Sequence, residues 1–285
     1  REMDMIEEVL FVHPKDMQDG KIPVTRHDIT CNLPYQEGVH LCFDHHLSEF
    51  YRNEDRNNHI LDPHADSAAR VVYEYYGGRT RFRNISDDMM LAVDKADSAQ
   101  FTEEEILDPQ GWVLLSFIMD ARTGLGRFRN FSVSNYQLML NLVDICREYK
   151  DVNDILALPD VAERVALYEE HVEPYINQVH ACSEKYDNLI VLDLREEDIL
   201  YAGNRFMIYA LFPDCDMSMH VMWGRQKQNT VFAVGKSIIN RDSKVNVGKL
   251  MLEYGGGGHE AAGTCQIDND KAPEIMVELI DKLTS

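Results

Sequence analysis

Asp44-His45-His46 is the part of this sequence best equipped for chemistry. One carboxylate and two imidazoles can bind a divalent metal or move protons. They lie in the stretch Leu41 to Glu49 and follow an apolar run, Val39 to Phe43, that reads as a buried parallel strand. In α/β proteins, ligands gather where strands end and loops begin. A lone histidine in a loop is more often a bystander, because short motifs carry false positives. Three such groups directly after a buried strand are better explained as a site.

A second stretch is Gly255-Gly256-Gly257-Gly258-His259-Glu260-Ala261-Ala262-Gly263. Consecutive glycines allow positive φ and close backbone approach to a ligand, and their N–H groups can form an anion-binding nest. The competing explanation is a flexible linker, but the run is short, lacks serine filler and sits between apolar elements. Arg241 and Lys244 lie shortly before it and could add positive charge for phosphate; a solvated loop explains those two equally well. Asp97 closes an apolar helix ahead of Ser98-Ala99, and Asp94 lies one turn earlier on the same face. Helix-end acids are usually solvated. The company of Asp44-His45-His46 makes either one a candidate to reach a metal held by His45.

The elements that must position these groups follow from periodicity. Strands are expected at Val9–Val12, Asp28–Leu33 and Val39–Phe43, with a helix tail over residues 1–8 and a loop from His13 to Gly20. Parallel strands so close in sequence would need a crossover. Asp66 or Ser67 caps a helix carrying Ala68, Val71, Val72 and Tyr75, which Gly77-Gly78 stop. A further helix starts at Asp87, others cover Trp112–Met119 and Tyr136–Tyr149, and a long one runs from Val161 to about Tyr186. Beyond Asp187-Asn188 the texture turns to strands: Leu189–Leu194, Phe206–Phe212, Met219–Trp223 and Val231–Val234. Helices at Asn246–Tyr254 and Ala272–Leu283 follow. This is an α/β chain of two domains split near residue 187.

The whole composition sets limits. The chain has 285 residues, with 49 acidic against 28 basic side chains and a formal net charge of −21. Such a surface repels long nucleic acid, whose binding requires many phosphates to be neutralised, but it permits a small anion in a local basic or metal-containing pocket. The six cysteines (Cys31, Cys42, Cys146, Cys182, Cys215, Cys265) have no paired spacing. That suggests reduced thiols in a cytoplasmic protein. No apolar run reaches about 18 residues, so no membrane span is expected, and no signal peptide is visible. The first residue is Arg1, which suggests that the natural N-terminus lies further upstream.

Asp44-His45-His46 together with Gly255 to Gly263 resembles the DHH phosphoesterase superfamily. Its members include the RecJ exonuclease, nanoRNases, pAp phosphatases, cyclic-dinucleotide phosphodiesterases and exopolyphosphatase-related proteins. The resemblance covers nearly the whole chain. It implies a mainly parallel-sheet DHH domain over residues 1–160, a connector helix over 161–187, and a smaller mixed-sheet DHH-associated α/β domain over 188–285. It also implies two divalent cations, usually Mn²⁺ with Mg²⁺ as the alternative, which activate water and polarise a phosphoryl group. Within that pattern His45 would be a metal ligand. His46 would face the scissile phosphate as ligand or general acid, and Asp44 would orient the pair. Asp97 would be the last metal aspartate, with Asp94 in reserve. Gly256, Gly257, Gly258, His259 and Arg241 would hold the far end of the substrate, closed against the metals across an interdomain cleft.

Two positions depart from the family pattern. Its second motif is an aspartate that bridges both metals at the end of the strand before Asp-His-His, and here Asn32 takes that place. Asp28, four residues earlier, would stand roughly 13 Å from the catalytic edge. The first motif should precede a helix. His13, Asp16 and Asp19 are instead followed by Lys21-Ile22-Pro23-Val24-Thr25, which opposes a helix, so that motif is expected upstream of Arg1.

The reading is a metal-dependent phosphoesterase acting on a small substrate: a short single-stranded oligonucleotide, a nucleoside bisphosphate, a cyclic dinucleotide or polyphosphate. Long duplexes and membranes are not expected partners, and a homodimer stays open. The alternative is a nucleotide- or phosphate-binding protein with an incomplete metal site. A dinucleotide-cofactor enzyme is disfavoured, because no strand–Gly-x-Gly-x-x-Gly–helix unit is present.

Overall fold

The computed structural model describes residues 5–46, 49, 54 and 56–284. Residues 1–4 and 47–48, which belong to the expected helix tail and to the Leu41–Glu49 stretch, lie outside them. The chain forms two compact units that interleave in sequence: residues 1–100 with 136–155, and 101–135 with 156–285. The sequence division at 160 and 187 differs because residues 101–135 pack with the C-terminal part. Phe101 and Phe117, for example, pack against Phe206 with tilted rings.

The first unit holds a three-stranded parallel sheet in the order β1 (Ile29–Cys31), β2 (Leu41–Asp44), β3 (His59–Leu61). Its central strand is the apolar run, with Cys42 and Phe43 fully buried. No crossover helix joins β1 to β2. The chain returns through a loop, and His40 N–H donates to the Asp28 carbonyl to start the ladder. The helix Ala68–Tyr75 packs on this strand, placing Tyr75 and Tyr76 against the Phe43 ring at 5.2 and 5.8 Å. Ser67 is its N-cap, accepting from Arg70 N–H. The helix Asp87–Ser98 carries both Asp94 and Asp97 and ends at Ala99, which adopts φ 53°.

Two expectations for the N-terminal region are corrected. Val9–Val12 forms no strand, and the segment after it is a short helix, Pro14–Gln18. Pro14 at the first helical position and the His13 ring, which accepts from Lys15 N–H, start that helix.

The second unit is built on a six-stranded sheet. Its order is β4 (Ser183–Tyr186), β5 (Leu189–Asp193), β6 (Met217–Trp223), β7 (Thr230–Lys236), β9 (Ala262–Ile267), β8 (Gly257–Gly258). Only β5 and β6 pair in parallel. One face buries Val191, Met219, Val221, Phe232 and Val234 against Met251 and Leu279 of the helices Val247–Glu253 and Ala272–Thr284.

The long helix runs from Pro159 to Ala181 and stops short of Tyr186. Residues 183–186 leave it to pair with β5 across the Asp187-Asn188 turn, where Asp187 takes φ 48°. The Phe206–Phe212 strand is also corrected: Met207–Leu211 is a buried helix. A continuous apolar run is compatible with either element, and here no alternation separates them. Among the described residues no helix is long and apolar enough to cross a membrane.

The glycine run divides in two. Gly255 N–H donates to Leu252 O and Gly256 N–H to Met251 O, which is a Schellman end to the preceding helix, with Gly255 at φ 73°. Gly257 and Gly258 are extended and pair with Thr264 and Gly263. A Cβ at Gly256 would stand 2.0 Å from the Thr264 carbonyl oxygen, and one at Gly258 2.3 Å from that of Ala262. A Cβ at Gly257 meets nothing within 4 Å. Gly256→Ala is therefore expected to lose about 1–3 kcal/mol of unfolding free energy, whereas Gly257→Ala stays within about 0.5 kcal/mol. Urea unfolding of both variants checks this; equal losses would contradict the packing argument.

Candidate functional site

Asp44 is the last residue of β2 and is 1 % exposed. A buried carboxylate needs donors, and the chain supplies them locally. Its Oδ1 accepts from His45 N–H at 2.7 Å, His46 N–H at 3.2 Å and His46 Nδ1–H at 2.7 Å. One oxygen thus fixes the turn after the strand and the tautomer of His46.

His45 is anchored differently. Its Nδ1 lies 3.0 Å from the Ala65 carbonyl oxygen, which can only accept, so Nδ1 carries the proton. Nε2 then faces Asp97 Oδ2 at 3.2 Å. The imidazoles of His45 and His46 are neighbours, 4.8 Å between centroids. The hydrogen bond to Asp97 raises the pKa of His45 against the opposing effect of burial. Burial alone would raise the Asp97 carboxyl. The hydrogen bond and charge of His45 outweigh it and hold that carboxyl below the usual carboxylate range.

Asp94 is engaged elsewhere. It accepts from Ser67 Oγ at 2.7 Å and from Arg70 Nε at 3.0 Å, tying its helix to the start of Ala68–Tyr75. Of the two acids weighed in the sequence, Asp97 is the one brought to His45. Asn32 lies at the same sheet edge, one residue past the Cys31–Phe43 pair, with its N–H on Phe43 O. It is exposed and adopts φ 59°, a conformation asparagine tolerates.

The residue before it was passed over in the sequence. Burial, helped by the Asp44 and Asp97 charges, pushes the Cys31 thiol up to about 12, although the residue keeps exposed surface. No motif pointed to Cys31; only its place one residue before the aligned Asn32 could have. His13, Asp16 and Asp19 form a separate cluster with lysines: Asp16 pairs with Lys21 at 3.0 Å and Asp19 with Lys15 at 2.6 Å.

The donors fit a divalent cation in part. Two ligand atoms cis on an octahedral ion, each about 2.1 Å from it, stand about 3 Å apart. The His45 Nε2 to Asp97 Oδ2 spacing of 3.2 Å matches that. Among the described residues, no group of three or more His, Cys, Asp or Glu converges as a metal site. With two protein donors, the remaining positions of an octahedral cation would be left to water or substrate.

In the second unit, the glycine run does not form the expected nest. Gly256 N–H and His259 N–H are used up by Met251 O and Ala262 O, and residues 257–258 are strand. His259 lies on the exposed turn between β8 and β9. Its carbonyl and that of Glu260 receive the N–H groups of Gly248 and Val247 at the start of the next-door helix. Arg241 is exposed, with Nε donating to Ile238 O at 3.0 Å, and Lys244 is exposed nearby.

No family model matches the chain, and no curated protein does. Solved structures do. A pGpG-specific phosphodiesterase, PggH from Vibrio cholerae, is 55% identical over 99% of this chain and 92% of its own, with a TM-score of 0.85. The DHH domain of a member of the s1p family of ribosomal proteins matches over 86% of this chain and 63% of its own, at 15% identity and a TM-score of 0.52, a likeness of fold. An exopolyphosphatase-related protein from Bacteroides fragilis aligns over 86% of this chain and 64% of its own, at 16% identity and a TM-score of 0.48. With Asp44-His45-His46 at the end of the central parallel strand and more than half its residues shared with the Vibrio phosphodiesterase, the chain belongs to the DHH phosphoesterase superfamily.

Proposed function

We propose that this chain is a divalent-cation-dependent phosphodiesterase that cleaves a short linear dinucleotide of the pGpG type. The observation that carries the reading is the 55% identity, over 99% of the chain, to a pGpG-specific phosphodiesterase. The geometry around Asp44 supports it. pGpG has a 5′-terminal phosphate and one internal phosphodiester. Hydrolysis adds water across the internal P–O3′ bond and yields two molecules of GMP.

In this reading His45 Nε2 and Asp97 hold the cation, and Ala65 O keeps the His45 proton on Nδ1 so that the other nitrogen is available. Mn²⁺ is favoured over Mg²⁺, because a mixed imidazole and carboxylate set departs from the all-oxygen coordination Mg²⁺ prefers. The bound cation would supply Lewis acidity toward a phosphoryl oxygen and lower the pKa of water. His46 holds its Nδ1 proton on Asp44, so Nε2 is the atom that gives or takes a proton. Asp44 is a positioning residue: it fixes that ring and the backbone of both histidines.

The expected result is release of GMP from pGpG with added Mn²⁺ and loss of turnover with chelator. A chain that binds pGpG but releases no GMP with any divalent cation would instead be a binding protein. In calorimetry with Mn²⁺, His45→Ala and Asp97→Asn are each expected to weaken binding by about 100-fold or more, beyond the effect of losing an outer partner. Asp94→Asn should leave Mn²⁺ affinity near that of the parent and cost about 1–3 kcal/mol of stability, because it removes the carboxylate charge that Ser67 and Arg70 share and leaves Arg70 only the exposed Glu74. A larger loss of affinity in Asp94→Asn than in Asp97→Asn would reverse the assignment.

The affinity should also depend on pH. A cation needs His45 deprotonated, and the folded pKa of His45 lies above the ordinary 6.5. Affinity is therefore expected to be full well above that raised value and to fall as pH drops through it, with the decline beginning above 6.5. Titrations from about pH 8 to about pH 6 check this; a flat affinity would argue against His45 as ligand.

A further inference from the structure

The His45 ring is held from both sides, by the Ala65 carbonyl at Nδ1 and by Asp97 beside Nε2. Asp97 comes from a helix, whose backbone is fixed by its own hydrogen bonds. The carbonyl comes from the loop between β3 and the helix Ala68–Tyr75, and a loop has no such ladder. Whatever fixes this loop decides where the ring points.

The loop is tied at its start to the strand that precedes His45. Asp62 N–H donates to the Asp44 carbonyl at 3.1 Å. Asp62 Oδ1 then accepts from His64 N–H at 3.0 Å and the Asp62 carbonyl from Ala65 N–H at 3.1 Å, which closes a turn. The Ala65 carbonyl lies beyond that turn, in the peptide that links Ala65 to Asp66. A peptide group is planar, so its direction is set by the residues at both of its ends. Ala65 is fixed by the turn. Asp66 is the other end, and its Oδ1 accepts from Gln100 Nε2 at 3.0 Å.

Gln100 follows the helix that presents Asp97. That helix ends at Ala99 with φ 53°, and the N–H groups of Ala99 and Gln100 both donate to Lys95 O. The left-handed residue takes the chain off the helix axis, where the Gln100 side chain reaches Asp66. One helix end therefore meets His45 twice: directly through Asp97, and through Gln100, Asp66 and the Ala65 carbonyl. Ser67, the next residue of the loop, is fully buried and donates to Asp94 of the same helix at 2.7 Å. The Ser67 tie anchors the start of Ala68–Tyr75, whereas the Asp66 tie belongs to the peptide that carries the Ala65 carbonyl.

We infer that Gln100, acting through Asp66, is a positioning residue for His45: it holds the Ala65 carbonyl on Nδ1 and so aims Nε2 at the cation. The cation part of this inference rests on the metal-dependent reading above. A metal-binding histidine is oriented by the acceptor at its other ring nitrogen, and here that acceptor is itself oriented from the helix that carries the carboxylate ligand. Gln100 is neutral, so its removal changes position without changing charge.

Two readouts on Gln100→Ala test this. The first needs no metal: NMR follows the exchange with water of the His45 ring proton on Nδ1, its signal identified by loss in His45→Ala. Exchange is expected to speed up about 2- to 10-fold in Gln100→Ala, the range of one hydrogen bond. The second is Mn²⁺ affinity by calorimetry, expected to weaken over about the same range. The paired variant Asp66→Asn with Gln100→Glu reverses the bond, the asparagine donating to the glutamate, and keeps the charge of the parent; it should restore both readouts. Gln100 is exposed, so its truncation is expected to leave the fold intact, and Asp66→Ala cuts the same bond from the other side if Gln100→Ala does not fold. A purely stabilising bond would lower resistance to urea and leave both readouts at parent values, and that result overturns the inference. Faster exchange with unchanged Mn²⁺ affinity overturns the link to the cation, and weaker Mn²⁺ binding with unchanged exchange overturns the route through Ala65. If the unmutated chain binds no Mn²⁺, the metal-dependent reading fails, and the exchange rate still decides the role of Gln100.

Discussion

One carboxylate oxygen organises the first unit's chemistry. Asp44 Oδ1 accepts two backbone N–H groups and one imidazole proton while its side chain is buried. A buried carboxylate that lost these donors would be strongly destabilised, so the turn after β2 is not free to adopt another shape. The strand delivers Asp44 to the sheet edge because Cys42 and Phe43 are buried ahead of it and Phe43 is clamped by Tyr75 and Tyr76. His45 and His46 then have their positions set by Asp44, and their roles separate according to what each Nδ1 meets. A carbonyl holds one and a carboxylate holds the other.

The two aspartates of one helix show how partners decide roles. Asp94 and Asp97 sit one turn apart, and spacing alone makes them equivalent. Arg70 and Ser67 draw Asp94 into a structural tie between helices, and that tie in turn fixes the helix that presents Asp97. Arg164 in the second unit is of the structural kind, with every side-chain nitrogen matched. A charged side chain with every donor matched holds structure.

Much of this was legible in the sequence where a residue type and a period agreed. The apolar run before Asp44, a cap at Asp66 or Ser67 (the structure uses Ser67) and a helix starting at Asp87 followed from pattern. Other features did not. Phe206–Phe212 has no alternation to separate strand from helix. Residues 183–186 were absorbed into a long helical pattern, because pairing with β5 is a tertiary gain that local propensity does not contain. The glycine run was read as one device but is two: Gly255 and Gly256 end a helix, and Gly257 and Gly258 begin a strand. Four identical letters hide that division, because the need for glycine comes from Thr264 and Ala262 across the ladder. Asp120 and Arg205 lie 85 positions apart, and nothing local joins them; their ion pair and the Gly203 N–H on Thr123 O are tertiary.

If its substrate is the anionic dinucleotide proposed above, this strongly acidic chain faces a long-range repulsion that its surface cannot relieve. At physiological ionic strength, screening acts over about 8 Å, so the attraction has to be local. A cation between His45 and Asp97 would neutralise charge at such a point. Polymer binders instead line a groove, and their affinity falls steeply with salt because many phosphates are engaged. With so few points of neutralisation, affinity for a substrate with two phosphates would change little with salt, while a long polymer would meet the full acidic surface beyond those points. The excess of acidic side chains would then favour an anion small enough to stay near the neutralised point over one that extends past it.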